Sequence, residues 1–252
     1  PRLGGHWGAC DPTNSKNRRR RCSMLVERFE GAEKDGGITR VLIDASPDLR
    51  EQLLDAEVGN LNGVVFTHEH ADHVHGLDDL RMIVFNQRKR LPVWADGKTS
   101  ESLISRFGYA FVQPEGSPYP PILNLKGING PVTVWGDGGD VVLEPFKVGH
   151  GSIDSLGFKV GPLAYLPDVA EIYDDAWPVI KSADTWVVDA LRREPHPTHT
   201  HLAQTLDWIE QSGVRHGVLT NMHIDMDYET VLAETPDNIS LAYDGRQLEF
   251  TV

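Results

Sequence analysis

Cysteine is scarce. Only Cys10 and Cys22 occur in 252 residues, too few for a disulfide framework, so stability must come from an apolar core. No apolar run approaches the ~20 residues that a membrane-spanning helix needs. Positive charge is also in deficit: 24 Lys and Arg against 37 Asp and Glu give a formal net charge of −13. That balance opposes any broad electrostatic grip on nucleic acid or anionic lipid. A small-molecule partner and a cytoplasmic location are therefore expected. The N-terminus has no signal-peptide pattern. It starts at Pro1 rather than Met, so a few residues of the natural start are expected to be missing. Repeats and low-complexity tracts are absent from the sequence.

What remains has the alternating pattern of an α/β protein, and one domain over residues 1–252 is expected. β-rich runs at Met24–Glu30 and Ile38–Asp44 flank GAEKDGG, which reads as a hairpin loop. Ser46-Pro47 reads as a helix start ahead of Leu49, Leu53 and Leu54. A buried strand is expected over Gly63–Thr67, and a helical pattern over Leu77–Arg90. Further strands are expected at 91–94, 132–135, 141–147, 158–160, 164–166, 185–188 and 217–219. Helices are expected at Ala170–Lys181 and Leu202–Gln211, the second ended by Gly213. Asp244-Gly245, between apolar runs, predicts a two-residue hairpin. The stretch from Gln113 to Pro121 reads as a surface loop, and Gly138-Gly139 as a loop near the site.

The strand at Gly63–Thr67 runs straight into THEHADHVHG, residues 67–76, which holds four of the eleven histidines. Neutral imidazole and carboxylate are ordinary ligands for zinc and its neighbours, and ligands one residue apart on a tight loop can converge on one ion. His68 and His70 form such a pair. Asp72 and His73 would project from the other side of the turn toward a second ion. A surface tract with adventitious affinity would have polar flanks, whereas here a buried strand delivers the loop and a helix leaves it. His75 fits neither pair and reads as supporting or exposed. Two ions need more donors than one loop offers. His150 in VGHGS, Asp168 in LAYLPD and His223 in LTNMHID all stand at expected strand ends, and Asp168 is placed to bridge two ions.

With these residues assembled, the chain resembles the metallo-β-lactamase superfamily, whose H-x-H-x-D-H signature matches His68, His70, Asp72 and His73. VLIDASPDLR resembles its first motif, with Asp44 supporting the loop rather than binding metal. The resemblance implies a four-layer αβ/βα sandwich of two mixed β-sheets flanked by helices, with two divalent ions (zinc or manganese) at one edge. It implies metal roles for His68, His70, Asp72, His73, His150, Asp168 and His223. CDPTNSKNRRRRCS and THTHLAQTLDWI further resemble the phosphodiesterase branch that includes PhnP and tRNase Z. Relatives can carry an extra structural zinc on N-terminal cysteines. Here only Cys10, with His6 nearby, remains, and that zinc is not expected. The branch's last ligand is usually in LTH, whereas this chain reads LTN with His223 two residues later; His223 or Asn221 completes the second site.

Two divalent cations about 3.5–4 Å apart can generate hydroxide at neutral pH and clamp both oxygens of an in-line displacement. The expected function is therefore hydrolysis of a small phosphodiester, such as a cyclic sugar phosphate or a nucleotide, by attack of metal-held hydroxide on phosphorus. Asp72 serves catalysis as well as the metal. His201, at the expected start of the Leu202–Gln211 helix, is assigned as general acid, with His199 as rival or phosphate contact. From the run Arg18–Arg21, Arg20 is the candidate phosphate ligand, although most of that run reads as solvated. His196 and His216 read as structural or exposed. Alternatives are tRNA 3′ processing, thioester hydrolysis of the glyoxalase type, and a non-catalytic binding protein. Missing from this chain is the long Gly/Pro-rich arm that tRNase Z uses on tRNA, and extended nucleic acid is not an expected partner. β-Lactam hydrolysis fits less well, because relatives with that activity often use a late cysteine ligand. A homodimer is expected by analogy.

Overall fold

The computed structural model describes residues 2–31 and 36–251. They form two compact units, one of residues 21–143 and the other of residues 2–20 with 144–251. Each is built around its own mixed sheet.

In the 21–143 unit, β1 (Met24–Phe29) pairs antiparallel with β2 (Ile38–Ile43), from Met24 opposite Ile43 to Phe29 opposite Ile38. Most of the loop expected between them lies outside the described residues. Helix α1 (Leu49–Asp55) follows, with Asp48 at its N-cap position rather than a start at Pro47. Then come β3 (Gly63–Val65), the short helix α2 (Ala71–Val74) and α3 (Leu80–Gln87). The expected helix of Leu77–Arg90 is shorter in fact: Leu77–Asp79 is a 3-10 turn, and Arg88 leaves the helix with a left-handed backbone, φ 55°. Strand β4 (Leu91–Ala95), helix α4 (Gly97–Phe111) and strand β5 (Leu123–Gly127) complete the sheet, in order β1-β2-β3-β4-β5. Leu49 and Leu53 of α1, Leu80 and Ile83 of α3, and Leu103 and Ala110 of α4 share one apolar cluster with Leu42, Val64, Val93 and Leu123 of the strands. Strand β6 (Val132–Val134) pairs with the first residues of β7 (Val141–His150).

In the second unit β7 continues into a sheet with β8 (Ile153–Val160), β9 (Leu163–Leu166), β10 (Glu171–Ile172), β11 (Thr185–Asp189), β12 (His216–Thr220) and β13 (Ile239–Leu241). Its order is β10-β7-β8-β9-β11-β12-β13. The β11 strand, parallel to both neighbours, is buried along its whole length, as central parallel strands usually are. Helices α5 (Trp177–Lys181), α6 (Leu202–Ser212) and α7 (Tyr228–Glu234) bury Ile180, Ile209 and Val231 against Phe146, Trp186 and Leu219. The helix expected over Ala170–Lys181 is only half present. Glu171 and Ile172 instead pair with Gly149 and Val148 of β7, and the helix waits for Trp177, with Pro178 in its first turn. Asp244-Gly245 does turn, with Arg246 N–H donating to Tyr243 O at 3.1 Å, but no second strand follows among the described residues. None of the described helices is long and apolar enough to cross a membrane.

An N-terminal strap ties the segment after β12 to the start of α7. Arg19 donates to the carbonyls of Met222 and His223, each at 3.3 Å, and to Met226 O at 2.8 Å. Asp227 caps α7: its Oδ1 accepts the Thr230 N–H (3.0 Å), and its Oδ2 accepts the Asp11 N–H (3.0 Å) and Asn17 Nδ2 (2.7 Å). Burial alone would raise the Asp227 carboxyl, but the donors from Asp11, Thr230 and Asn17 outweigh it and hold the group below the ordinary carboxylate range. Its stabilisation is therefore present above the unfolded pKa of about 4 and is lost as pH falls below that. Asp227→Ala should cost about 2–3 kcal/mol at pH 7, since it removes a cap and leaves buried donors unpaired. In denaturant titrations at several pH values, the gap from the parent should narrow below pH ~4; a gap independent of pH contradicts this account.

Candidate metal centre

Asp44 follows β2 with a left-handed backbone, φ 64°, which Asp tolerates better than most L residues. Its buried carboxylate accepts the Thr67 N–H at Oδ1 (2.8 Å) and the Thr67 hydroxyl at Oδ2 (2.8 Å). His73 Nδ1 lies 2.7 Å from the same Oδ2. The single hydroxyl proton of Thr67 is given to Asp44, so Thr67 accepts from His68 Nδ1, 2.9 Å away. In both imidazoles Nδ1 thus carries the proton, and Nε2 is the nitrogen with a lone pair to offer a metal. His70 precedes α2, and Asp72 and His73 ride on its first turn. The His68 ring lies 4.6 Å from that of His70 and 4.3 Å from that of His73, so one loop gathers three imidazoles. Gly76 closes the loop because nothing larger fits: a Cβ there would stand 1.9 Å from Ser46 O.

The second unit assembles its own donors. His150 ends β7 and its Nδ1 donates to Thr198 O at 2.5 Å, which again fixes Nε2 as the ligand nitrogen. Asp168 is almost fully buried, with Oδ2 3.4 Å from His150 Nε2 and 3.9 Å from His199 Nε2. Asp189, the last residue of β11, holds His199 Nδ1 at 2.8 Å and accepts the Val169 N–H at 3.2 Å. Burial pushes the Asp189 carboxyl up, to about 7, against the opposing pull of His199. Asp189 was missed by sequence reasoning. Its signal was the strand-end aspartate in TWVVDA, of the same kind that singled out Asp168.

Other assignments fall elsewhere. His201 is the N-cap of α6, its Nδ1 accepting the Gln204 N–H at 3.3 Å, while His199 is the imidazole beside Asp168. β12 ends at Thr220 and Asn221 has φ 56°, so the rule that residues two apart on a strand share a face no longer applies at His223. His223 instead meets Arg2 (3.3 Å) and Asp225 (3.5 Å), whereas Asn221 Nδ2 donates to Asp168 Oδ1 at 3.0 Å. Arg20 turns to Asp244, at 3.6 Å, and its neighbour Arg21 reaches Asp72 Oδ2 at 3.5 Å. His75 is exposed and packs edge-on against Phe107. His196 sits with its ring 5.3 Å from that of His199, and His216 bonds Ser240. Gly138 serves the β1–β2 pair rather than the histidine loop: a Cβ there would lie 2.0 Å from Arg28 O.

Imidazoles anchored at Nδ1, together with buried carboxylates, fit a borderline divalent cation. His68 and His70 in the one unit, and His150 and Asp168 in the other, are donors of the kind that such an ion takes. Residues 39–224 match the Beta-lactamase superfamily domain. The chain belongs to the metallo-β-lactamase superfamily. It has that α/β fold of two mixed, helix-flanked sheets, and it falls in the PhnP-like branch. A diphosphatase of the PhnP family is 31% identical in crystal structure, with TM-score 0.87 over 99% of this chain and 91% of that one. Human tRNase Z, short form, shares the fold at 14% identity, with TM-score 0.61 over 91% of this chain and 99% of that one. An octanoyltransferase of Porphyromonas gingivalis is 34% identical over 251 residues, 97% of this chain and 48% of that protein. The chain thus spans about half the length of this curated relative.

Asp44→Asn removes the anionic acceptor that fixes His68 and His73, and should weaken divalent-ion binding about 10- to 100-fold in calorimetric titration. His75→Ala should leave affinity unchanged. Equal affinities for Asp44→Asn and the parent would contradict the orienting role.

Proposed function

We propose that this chain is a divalent-metal-dependent hydrolase of small phosphodiesters, with a cyclic sugar phosphate or a nucleotide as substrate class. The hydrolase class follows from the superfamily. The observation that carries the finer reading is the buried Asp189, which holds His199 beside Asp168. The 31% identity to a PhnP-family diphosphatase supports phosphate ester chemistry. His68, His70, His150 and Asp168 are assigned to one ion; Asp72, His73, the shared Asp168 and a donor after β12 are assigned to a second. The family match, which runs through both units, supports treating the two donor sets as one centre in one hydrolase domain. Zinc or manganese held there would supply Lewis-acid activation of water and neutralise phosphoryl charge.

The protein's own part is positioning and proton transfer. His199, protonated at Nδ1 toward Asp189, presents Nε2 to the reacting groups. Water first gives up a proton to solvent; as the resulting hydroxide oxygen bonds to phosphorus and the ester P–O bond breaks, the departing alkoxide takes a proton from His199 Nε2. Asp189 stabilises the imidazolium that precedes this transfer. His201, engaged as a helix cap, is the lesser candidate for the role. Arg21, beside Asp72, rather than Arg20, is the arginine assigned to the substrate phosphate.

A second reading, hydrolysis of an acyl thioester, is favoured by the octanoyltransferase relative, since activated water also attacks carbonyl carbon. The acyl transfer named for that longer protein is not assigned to this chain. The two readings separate in a panel with zinc or manganese: bis-p-nitrophenyl phosphate, cyclic ribose and nucleotide phosphates, pre-tRNA, a glutathione thioester and an octanoyl thioester. Diester turnover is expected, and turnover confined to thioesters would overturn the first reading. His199→Ala should lower kcat on the diester by about 10²–10⁴-fold with metal content intact. His201→Ala should mainly cost about 1 kcal/mol of stability. The reverse pattern would return the acid role to His201.

A further inference from the structure

Asn221 occupies the position after β12 where the proposed centre calls for a metal donor, and the end of its amide turned to Asp168 is the wrong one for that. Its Nδ2 donates to Asp168 Oδ1 at 3.0 Å and to Pro167 O at 3.3 Å. Both partners are acceptors, so the amide nitrogen, not the oxygen, must face Asp168. An amide N–H has no lone pair to give an ion. It also occupies part of the carboxylate that the two ions are to share, while Asp168 Oδ2 faces His150 and His199. The left-handed backbone of Asn221, φ 56°, suits asparagine. His223 does not make good the loss. Its backbone N–H is tied to Leu191 O at 2.7 Å, and its ring lies against Arg2 and Asp225. The three carbonyls clasped by Arg19 hold this segment in place.

We infer that Asn221 makes metal loading unequal: one ion, on His68, His70, His150 and Asp168, is held firmly, and the second, on Asp72, His73 and Asp168, is short of one donor and exchanges readily. This rests on the metal-dependent reading proposed above and specifies it further. The chain is then a one-ion protein at low free metal that gains its second ion only as the metal concentration rises. The firm ion has four protein donors, against three for the loose one, and zinc can expand to five-coordinate to take a water as well. Two of the loose ion's three donors are carboxylates, a harder set that also suits manganese.

The test counts ions. The full chain is stripped with chelator, loaded with zinc or manganese, dialysed against metal-free buffer, and weighed by native mass spectrometry. One ion per chain is expected to survive, with the second appearing only at free metal concentrations about 10-fold or more higher. Asn221→His restores a nitrogen donor at a left-handed position that histidine tolerates, and should retain two ions through the same dialysis. Asn221→Asp, which offers a carboxylate oxygen with the same backbone preference, should also tighten the second ion and serves if the histidine variant does not fold. Two ions retained by the parent, or a folded variant that loads like the parent, would overturn the inference while leaving metal dependence standing. If neither the parent nor the variants hold any ion, the metal-dependent reading itself falls, and this inference with it.

Discussion

Everything else at the histidine loop depends on one buried carboxylate. Asp44 lies at the end of β2 in a left-handed conformation with no exposed surface, and such a group is costly to bury unless its oxygens are satisfied. Here the Thr67 N–H, the Thr67 hydroxyl and His73 Nδ1 satisfy them. The cost of burial is thereby turned into orientation, because each donor can point only one way. The proton of His73 is fixed directly and that of His68 through the Thr67 hydroxyl. Substituting the aspartate changes the ring nitrogens available to a metal without touching a ligand.

The same device recurs at Asp189, which is buried at the end of β11 and grips His199 while accepting the Val169 N–H. Val169 follows Asp168, so a single carboxylate anchors both the imidazole and the backbone beside the aspartate assigned as shared ligand. Around it, Thr198 O holds His150. Each unit therefore solves the same problem by the same means: a strand delivers a short-range rigid turn, and a polar group behind His68 and His73 in the one, and behind His150 and His199 in the other, sets the tautomer.

Much of this was legible in the sequence, and the failures have physical causes. The signature at residues 67–76 is dense because all its donors lie on one tight loop, and a spaced set of histidines survives translation into three dimensions when no long-range contact is needed to shape it. Helix α6 was equally plain, since Leu202 and Ile209 repeat at helical spacing and Gly213 takes the left-handed cap. Helix α4 was not foreseen: its apolar residues are interrupted by Gly108 and a kink at Phe107, although Asp96 capping Thr99 N–H was a readable start signal. Helix α7 begins with a cap whose partners, Asp11 and Asn17, are more than two hundred residues away. His201 and His199 could not be told apart by spacing, because both face the start of a helix. Only the position of Asp189 decides which ring is held beside Asp168. His223 failed for a local reason, the left-handed turn at Asn221, which no periodicity rule sees.

The central claim is that these carboxylate-anchored histidines are a metal site and not a polar core feature. X-ray absorption at the zinc edge of the zinc-loaded protein tests it most directly. The account expects a first shell of nitrogen and oxygen at about 2.0–2.1 Å with the multiple scattering of several imidazoles. A shell containing sulfur at about 2.3 Å, from Cys10 or Cys22, or no ordered zinc at all, would contradict it.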